Sequence, residues 1–239
     1  MNIIYMILIF AVVFLTISNT GIAAESSREA PKIDKMAPGK LKTATFAMGC
    51  FWGPDVIFGG IEGVWKTRVG YAGGKIDNPT YHNLGSHTET IQLEYDPEQI
   101  TYKELIEIFF DNHNPYRKAY GSQYKSIVFY HNERQKEIFE DYAANLNNGR
   151  QLYIELNEYR VFHYAEFYHQ KYRLQSFNNI MSELRELYST DREFINSTLT
   201  ARLNHYVGSK KGMDLFEKEK EFYGLESETI DWLKNFIRE

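Results

Sequence analysis

Residues 88–110 read TETIQLEYDPEQITYKELIEIFF, and two periodicities meet in them. Through Thr88–Tyr95 the residues alternate: Glu89, Ile91, Leu93 and Tyr95 share one face, and Thr90, Gln92 and Glu94 take the other. That is the two-residue period of a strand. Six residues on, Thr101-x-x-Glu104 has the spacing of a capping box, which ties up orphan N–H groups and opens a helix with Leu105, Ile108 and Phe109 turned inward.

The same alternation of periods continues outward in both directions. Towards the N-terminus, Val64–Val69 reads as a strand, with Gly70-Tyr71-Ala72-Gly73-Gly74 as the loop leaving it, and Thr43–Ala47 (TATFA) as another short strand. Towards the C-terminus, Ser126–Tyr130 is a strand. Asn132-x-x-Gln135 then caps a helix with Ile138, Tyr142 and Leu146 at four-residue spacing. A further short strand is expected near Tyr153–Leu156, a helical segment around Ala165–Leu174, and a charged helical tail from about residue 180 with Ile230, Leu233 and Ile237 on one stripe. Strands alternating with helices predict an α/β (α+β) chain: a two-layer sandwich on a mixed sheet, with the tail packed against it.

Composition sets the outer limits. The 239 residues carry 27 Lys and Arg against 32 Asp and Glu, a net charge of −5, with 43% hydrophobic residues. Such a chain buries a sizeable core, which disordered sequences do not. The acidic balance argues against a nucleic-acid binder relying on phosphate neutralisation. A single cysteine excludes an intrachain disulfide framework and a Cys-rich zinc site. His82 and His87, five apart, lack a third ligand at recognisable spacing, so no metal is expected. No phosphate-binding or dinucleotide glycine motif is present, since Gly70-x-x-Gly73-Gly74 matches neither.

At the start, residues 3–17 (IIYMILIFAVVFLTI) form an apolar run followed by small residues, with charge beginning at Glu25. A bilayer span needs roughly 20 residues as helix. The shorter run reads as a signal peptide over residues 1–24, cut near Ala23 or Ala24. That places the protein in the secretory pathway or outside the cell, or membrane-anchored if the segment is kept. Asn196-Ser197-Thr198 is an acceptor sequon that fits this route, whereas Asn78-Pro79-Thr80 is excluded by its proline. Residues 25–42, polar with two prolines and without periodicity, read as a linker. The remaining divisions are a catalytic domain over 43–178 and a helical extension over 179–239.

Eight of the sixteen glycines fall within residues 49–74, implying tight turns and close backbone approach, as around a site. There Gly49-Cys50-Phe51-Trp52-Gly53-Pro54 sets the only thiol after a strand and before a helix, with Pro54 suited to a first helical turn. A thiol at a helix N-terminus meets the positive end of the helix dipole, which favours thiolate. Phe51 and Trp52 are either core residues or an apolar wall for a methyl or thioether group. Glu89 is the second informative residue. A carboxylate on the core-facing side of a strand is costly unless neutralised or paired, and desolvation makes it a proton donor near neutrality. The alternative is a strand-end carboxylate that reaches water. A cysteine hydrolase with His163 or His169 as base is also arguable from residue types alone.

Several motifs then occur in a fixed order: Gly49-Cys50-Phe51-Trp52-Gly53, Thr67-Arg68-Val69-Gly70-Tyr71-Ala72-Gly73-Gly74, Asn78-Pro79-Thr80-Tyr81 and His87-Thr88-Glu89-Thr90. Tyr95-Asp96-Pro97, Gln123-Tyr124-Lys125-Ser126 and Ala165-Glu166-Phe167-Tyr168-His169-Gln170 follow. In these motifs, over roughly residues 43–175, the chain resembles the peptide methionine sulfoxide reductases of type A, which act on the S epimer at sulfur. The resemblance implies a ferredoxin-like core and a monomeric, cofactor-free enzyme. It implies that Cys50 attacks the sulfoxide sulfur, that Phe51 and Trp52 hold the methyl group, and that Glu89 protonates the oxygen beside the hydroxyls of Tyr81 and Tyr124. The products would be methionine and a Cys50 sulfenic acid, which another thiol reduces. The substrates implied are peptides and proteins carrying methionine-(S)-sulfoxide.

The chain departs from the resemblance at three points. Position 55, where many relatives carry Glu, is Asp; the acidic residue usual before Tyr124 is replaced by Ala119; and no second cysteine is present. The sulfenic acid therefore needs an external thiol such as thioredoxin, glutathione or glutaredoxin. The stretch near Leu203–Leu225 resembles an extension found in a subset of relatives.

Overall fold

The computed structural model describes residues 28–146 and 149–238. The expected signal peptide lies outside these residues. After a single helical turn, α1 (Lys32–Lys35), the chain runs β1 (Lys42–Met48), α2 (Trp52–Gly59), β2 (Val64–Ala72), β3 (Thr88–Tyr95), α3 (Tyr102–Asp111), β4 (Ser126–Tyr130), α4 (Glu133–Leu146), β5 (Ile154–Glu158) and β6 (Phe162–Tyr164). One sheet forms in the order β5-β4-β1-β3-β2-β6. Its four inner strands, joined βαββαβ, are antiparallel throughout in the ferredoxin-like arrangement. β5 adds in parallel to β4 through the α4 crossover, and β6 adds antiparallel to β2, so the sheet is mixed as expected.

The helix faces follow from the residues read above. Thr101 and Glu104 complete the capping box at α3. Leu105, Ile106 and Phe109 are fully buried against Phe46 of β1, whose ring lies 5.4 Å from Phe109 and 5.8 Å from Phe58 of α2. Burying each such side chain stabilises by roughly 1.5–3 kcal/mol. On β3 the face with Glu89, Ile91, Leu93 and Tyr95 looks into this core. The opposite face is covered as well, by a small cluster of Ala47, Ala72, Ile127 and Phe129 with Tyr159 packed on it.

Three local expectations are corrected. The segment Gly70–Ala72 is strand rather than loop, because β6 pairs with it: Gly70 lies opposite Tyr164 and Tyr71 opposite His163. The segment 165–174 is not one helix but two short 3-10 turns, Phe167–His169 and Leu174–Ser176. Between them Lys171 takes a left-handed backbone (φ 49°), which an α-helix cannot absorb. The stretch read as a linker contains α1, with Ile33 buried. Its Asp34 carboxylate accepts hydrogen bonds from the Thr198 and Leu199 N–H groups.

The tail forms α5 (Asn178–Leu187), α6 (Asp191–Ile195), α7 (Thr198–Ser209), α8 (Met213–Glu219) and α9 (Ser227–Arg238) around a second core of Leu184, Leu199, Leu203, Tyr206, Phe216 and Leu233. It joins the sheet domain through α7, which lies along α2. A Cβ at Gly59 would meet the Ala201 carbonyl oxygen at 2.4 Å, so glycine is what lets the two helices touch. Part of the glycine cluster thus serves helix packing rather than the thiol. The Arg202 guanidinium donates to the Gly59 carbonyl at 2.7 Å, and His205 Nδ1 donates to the Val56 carbonyl at 2.8 Å. The tail therefore holds the helix that follows Cys50.

Candidate active site

Cys50 sits between the last residue of β1 and the first turn of α2, and it is exposed. Gly49 makes the approach possible: its φ of 83° is in the left-handed region that glycine enters without strain. Pro54 is the third residue of α2, inside the first turn, where its missing N–H costs little. The expected thiolate is not favoured in the resting protein. Burial on its protein side pushes the thiol above its ordinary pKa, and the Glu89 carboxylate adds to this. The Trp52 N–H and the charge of Arg173 pull in the other direction, but less strongly. One helix end does not outweigh desolvation plus a neighbouring carboxylate.

Glu89 lies on the core face of β3 and is 1% exposed, which removes the strand-end alternative. Its Oε2 accepts from the Phe51 N–H at 3.0 Å and its Oε1 from Gln123 Nε2 at 2.7 Å. The Glu89 N–H in turn donates to the Gln123 carbonyl at 2.8 Å, locking the two segments together. Burial raises the Glu89 pKa; the Gln123 amide, the Phe51 N–H and the Cys50 thiol lower it in part, and the net direction is upward. All three donors are neutral. A buried carboxyl with neutral donors and no cation is an acid poised to hold its proton.

The two tyrosines converge on this pair. Tyr124 is pushed up to about 12, first by burial of its hydroxyl and then by the Glu89 charge and the Tyr81 hydroxyl. The Tyr124 phenol therefore stays protonated near neutrality and can donate. Tyr81 is positioned through its backbone: its N–H donates to Glu166 Oε1 at 2.9 Å, while the Tyr71 hydroxyl donates to Glu166 Oε2 at 2.8 Å.

The two aromatic candidates separate. Phe51 is 1% exposed, its ring packed 6.0 Å from Tyr71 and 5.1 Å from His169, so its clearest contribution is the N–H that holds Glu89. Trp52 is partly exposed and stacks on Tyr172 at 3.7 Å with the rings almost parallel. The Trp52–Tyr172 pair supplies the apolar wall beside the thiol.

Histidines stand aside from the sulfur. His163 packs edge-on to His87, and His169 is buried among Phe51, Trp52, Tyr81 and Tyr168. No hydrogen bond joins either to Cys50 among the described residues, which removes the base a cysteine hydrolase needs. His87 is committed to the loop, accepting from the Gly74 N–H at 3.1 Å and donating to the Ile76 carbonyl.

Gln123, Glu166 and Tyr172 are site residues that chain-local reasoning does not single out. Gln123 and Glu166 stand inside the ordered motifs, which was the available signal; Tyr172 has none, because its role is visible only from its stack on Trp52.

Comparison with known proteins identifies the family. The family model for peptide methionine sulfoxide reductase matches residues 42–202, running past the sheet domain into α7. A peptide methionine sulfoxide reductase of Drosophila melanogaster is 38% identical over 194 residues, covering 77% of this chain and 75% of its own length. The peptide methionine sulfoxide reductase A5 of Oryza sativa subsp. japonica is 35% identical over 175 residues, 70% of this chain and 68% of that protein. Among solved structures, methionine sulfoxide reductase A of Corynebacterium diphtheriae superposes with a TM-score of 0.52 at 30% identity, over 62% of this chain and 82% of its own. An exposed thiol, a buried carboxyl with neutral donors and two neighbouring phenols thus lie within a match that spans the whole sheet domain, and the chain belongs to the peptide methionine sulfoxide reductase family, type A.

Proposed function

We propose that the chain reduces methionine-(S)-sulfoxide in peptides and proteins, with Cys50 as nucleophile and Glu89 as the acid. The observation that carries this is the neutral setting of Glu89 beside the Cys50 thiol. A sulfoxide oxygen leaves sulfur only as it gains a proton, and a raised carboxyl within reach supplies one at neutral pH. The Cys50 sulfur attacks the sulfoxide sulfur; Glu89 protonates the oxygen, assisted by the Tyr81 and Tyr124 hydroxyls. The S–O bond of the substrate breaks and the oxygen leaves as water; water then attacks the Cys50 sulfur, and the S–S bond between Cys50 and the substrate breaks to release the thioether. Methionine and a Cys50 sulfenic acid result: sulfur of the substrate is reduced, and the cysteine is oxidised by the same two electrons. The substrate methyl group lies against the Trp52–Tyr172 stack, with Phe51 beneath it.

The chain's 239 residues hold one cysteine, so no disulfide within them resolves the sulfenic acid. An external thiol, thioredoxin or a smaller one, regenerates the enzyme. No cofactor enters the cycle, and the protein acts as a monomer. A secretory route, with the apolar segment 3–17 as its signal, supplies oxidised extracellular proteins as substrates for repair. N-terminal sequencing of the protein from its native source checks this: a mature start near Glu25 is expected, and an intact Met1 contradicts cleavage.

The test of activity uses a racemic methionine-sulfoxide peptide with dithiothreitol. Conversion is expected to stop near half, leaving the R epimer, and Cys50→Ser is expected to give no methionine. Consumption of both epimers, or turnover by Cys50→Ser, contradicts the reading.

A further inference from the structure

Asn196-Ser197-Thr198, the one acceptor sequon that proline does not spoil, takes no part in the reduction chemistry. It falls at the turn from α6 into α7, where the neighbouring hydroxyls have work in the fold. Ser197 Oγ accepts from the Thr200 N–H at 3.1 Å, capping α7, and donates to the Asp34 carboxylate at 3.1 Å. Thr200 Oγ1 donates to the Phe194 carbonyl at 2.6 Å. Thr198 differs. It is 1% exposed, and its hydroxyl has no partner among the described residues. A buried hydroxyl left unpaired is destabilising, and an apolar side chain of similar shape avoids that cost. For folding alone, valine would serve at least as well. A hydroxyl without use in the folded chain, two residues after an asparagine, is what a glycosyl-transferring enzyme reads before the chain has folded.

The folded protein also has room for the product. Asn196 is half-buried at the end of α6; its Nδ2 donates to the Arg192 carbonyl at 2.8 Å, and its Oδ1 accepts from the Tyr164 hydroxyl at 3.4 Å. An asparagine amide has two N–H bonds, and glycosylation replaces one, so the bond to Arg192 survives. A hollow of about 300 Å³ opens beside Asn196, with Lys66, Ser189 and Glu193 on its walls as partners for sugar hydroxyls. The site is also turned away from the thiol. Helix α7 runs antiparallel to α2: Ala201 lies against Gly59 at the end of α2, and Gly208 against Val56, nearer its start. The turn at Asn196 therefore lies beyond the end of α2 that is remote from Cys50, where a glycan leaves the thiol open to protein substrates.

We propose that Asn196 is an N-glycosylation site, that Thr198 is a threonine for the sake of that modification rather than of the fold, and that the carbohydrate stands on the face of the tail away from Cys50. The proposal rests on the secretory reading above. The co-reactant is an oligosaccharide linked to a lipid through pyrophosphate. The Asn196 Nδ2 attacks the anomeric carbon; a C–N bond forms, the C–O bond to the pyrophosphate breaks, and the proton lost from the amide leaves with the lipid pyrophosphate. Nothing is oxidised or reduced.

The experiment expresses the full chain, with its own first 24 residues, in cultured mammalian cells. Peptide-N-glycosidase is expected to lower the mass of the secreted protein and to convert Asn196, and no other asparagine, to aspartate in its peptide masses. Asn196→Gln and Thr198→Val are expected to lose the glycan, and Thr198→Ser to keep it. Two forms without carbohydrate then isolate the hydroxyl: Asn196→Gln/Thr198→Val is expected to unfold at the same denaturant concentration as Asn196→Gln or a higher one, with the same yield of methionine in a single turnover. A secreted wild type with unmodified Asn196 overturns the site. A lower unfolding midpoint for the double variant gives Thr198 a folding role and overturns the argument from its hydroxyl. A chain that stays in the cytosol with Met1 intact overturns the secretory reading itself, and the glycosylation with it.

Discussion

Two carboxylates touch α2, each 1% exposed, and they are built for opposite ends. Glu89 accepts from the Phe51 N–H and the Gln123 amide, beside an exposed thiol. Asp55, five residues beyond that thiol, forms a salt bridge to the Lys171 ammonium at 2.9 Å. It also accepts from the Thr67 hydroxyl at 2.6 Å, the Lys171 N–H at 3.1 Å and the Asn204 amide at 3.2 Å. Burial is the same; the charge of the partners is not. Without a cation, burial lifts Glu89 and leaves it a proton to give. With one, the second carboxylate becomes a joint that ties α2, the turn at Lys171 and tail helix α7 together. Burial alone does not make an acid.

The largest expected effect is at the first carboxylate. Glu89→Gln keeps the shape and the contact to the Phe51 N–H, and keeps that to Gln123 once the Gln123 amide turns over to accept, but it has no acidic proton. Single-turnover methionine formation should fall about 10²–10⁴-fold, the scale of general acid catalysis, with substrate binding weakened far less. The pH profile should change as well. In the wild type the rate is expected to fall as pH rises through the raised Glu89 pKa, because the protonated form is lost. The variant should lack that fall and rise with the Cys50 thiolate instead. An unchanged rate from pH 5 to 9 would move the proton source to Tyr81 or Tyr124.

The second carboxylate should break differently. Lys171→Met leaves Asp55 buried without its cation, which costs about 3–5 kcal/mol of stability. Denaturant unfolding should show this, while single-turnover chemistry in the folded fraction stays within a few-fold of wild type. Asp55→Asn/Lys171→Met, which removes both charges, should recover part of the loss. If the single variant is as stable as wild type, the pair is not the joint described here. The smallest effect is at Asn204. Its Oδ1 accepts from the Arg173 and Leu174 N–H groups and its Nδ2 donates to Asp55. Asn204→Ala should cost about 1–3 kcal/mol, the penalty of leaving buried donors unpaired. Because it loosens the segment carrying Tyr172 and Arg173, it should also raise the apparent Cys50 pKa in thiol-alkylation profiles. No change in that profile would confine Asn204 to a purely structural role.

These pairings also mark where the chain could be read in advance. The strand at 88–95 and helix α3 were legible because alternation and the Thr101–Glu104 capping box are local signals. Cys50 and Glu89 were legible because each contradicts its surroundings: a thiol framed by glycines at a helix entry, a carboxylate on an apolar strand face. What was not legible depends on partners distant in the chain. Gly70–Ala72 reads as loop until β6, some ninety residues later, pairs with it. The segment 165–174 has helical composition but is broken by ties elsewhere: Gln170 accepts from the Val69 N–H, and Lys171 turns towards Asp55. The sequence showed a departure from Glu to Asp at position 55 but not what it serves. It serves packing, through Lys171 and Asn204. The lowered thiol pKa expected at the helix entry is opposed first by burial and then by the Glu89 charge, which arrives from a strand 39 residues further along the chain.

The central claim is that Glu89 is an acid because it is buried among neutral donors. Carbon-13 labelling of glutamate side chains, with Glu89→Gln to assign the resonance, lets its titration be followed by NMR in the resting enzyme. An exposed glutamate titrates near 4.3. The account predicts a midpoint displaced clearly above that value, moving back down in a variant that brings a cation beside it, such as Gln123→Lys. A Glu89 midpoint at or below the exposed value would contradict it.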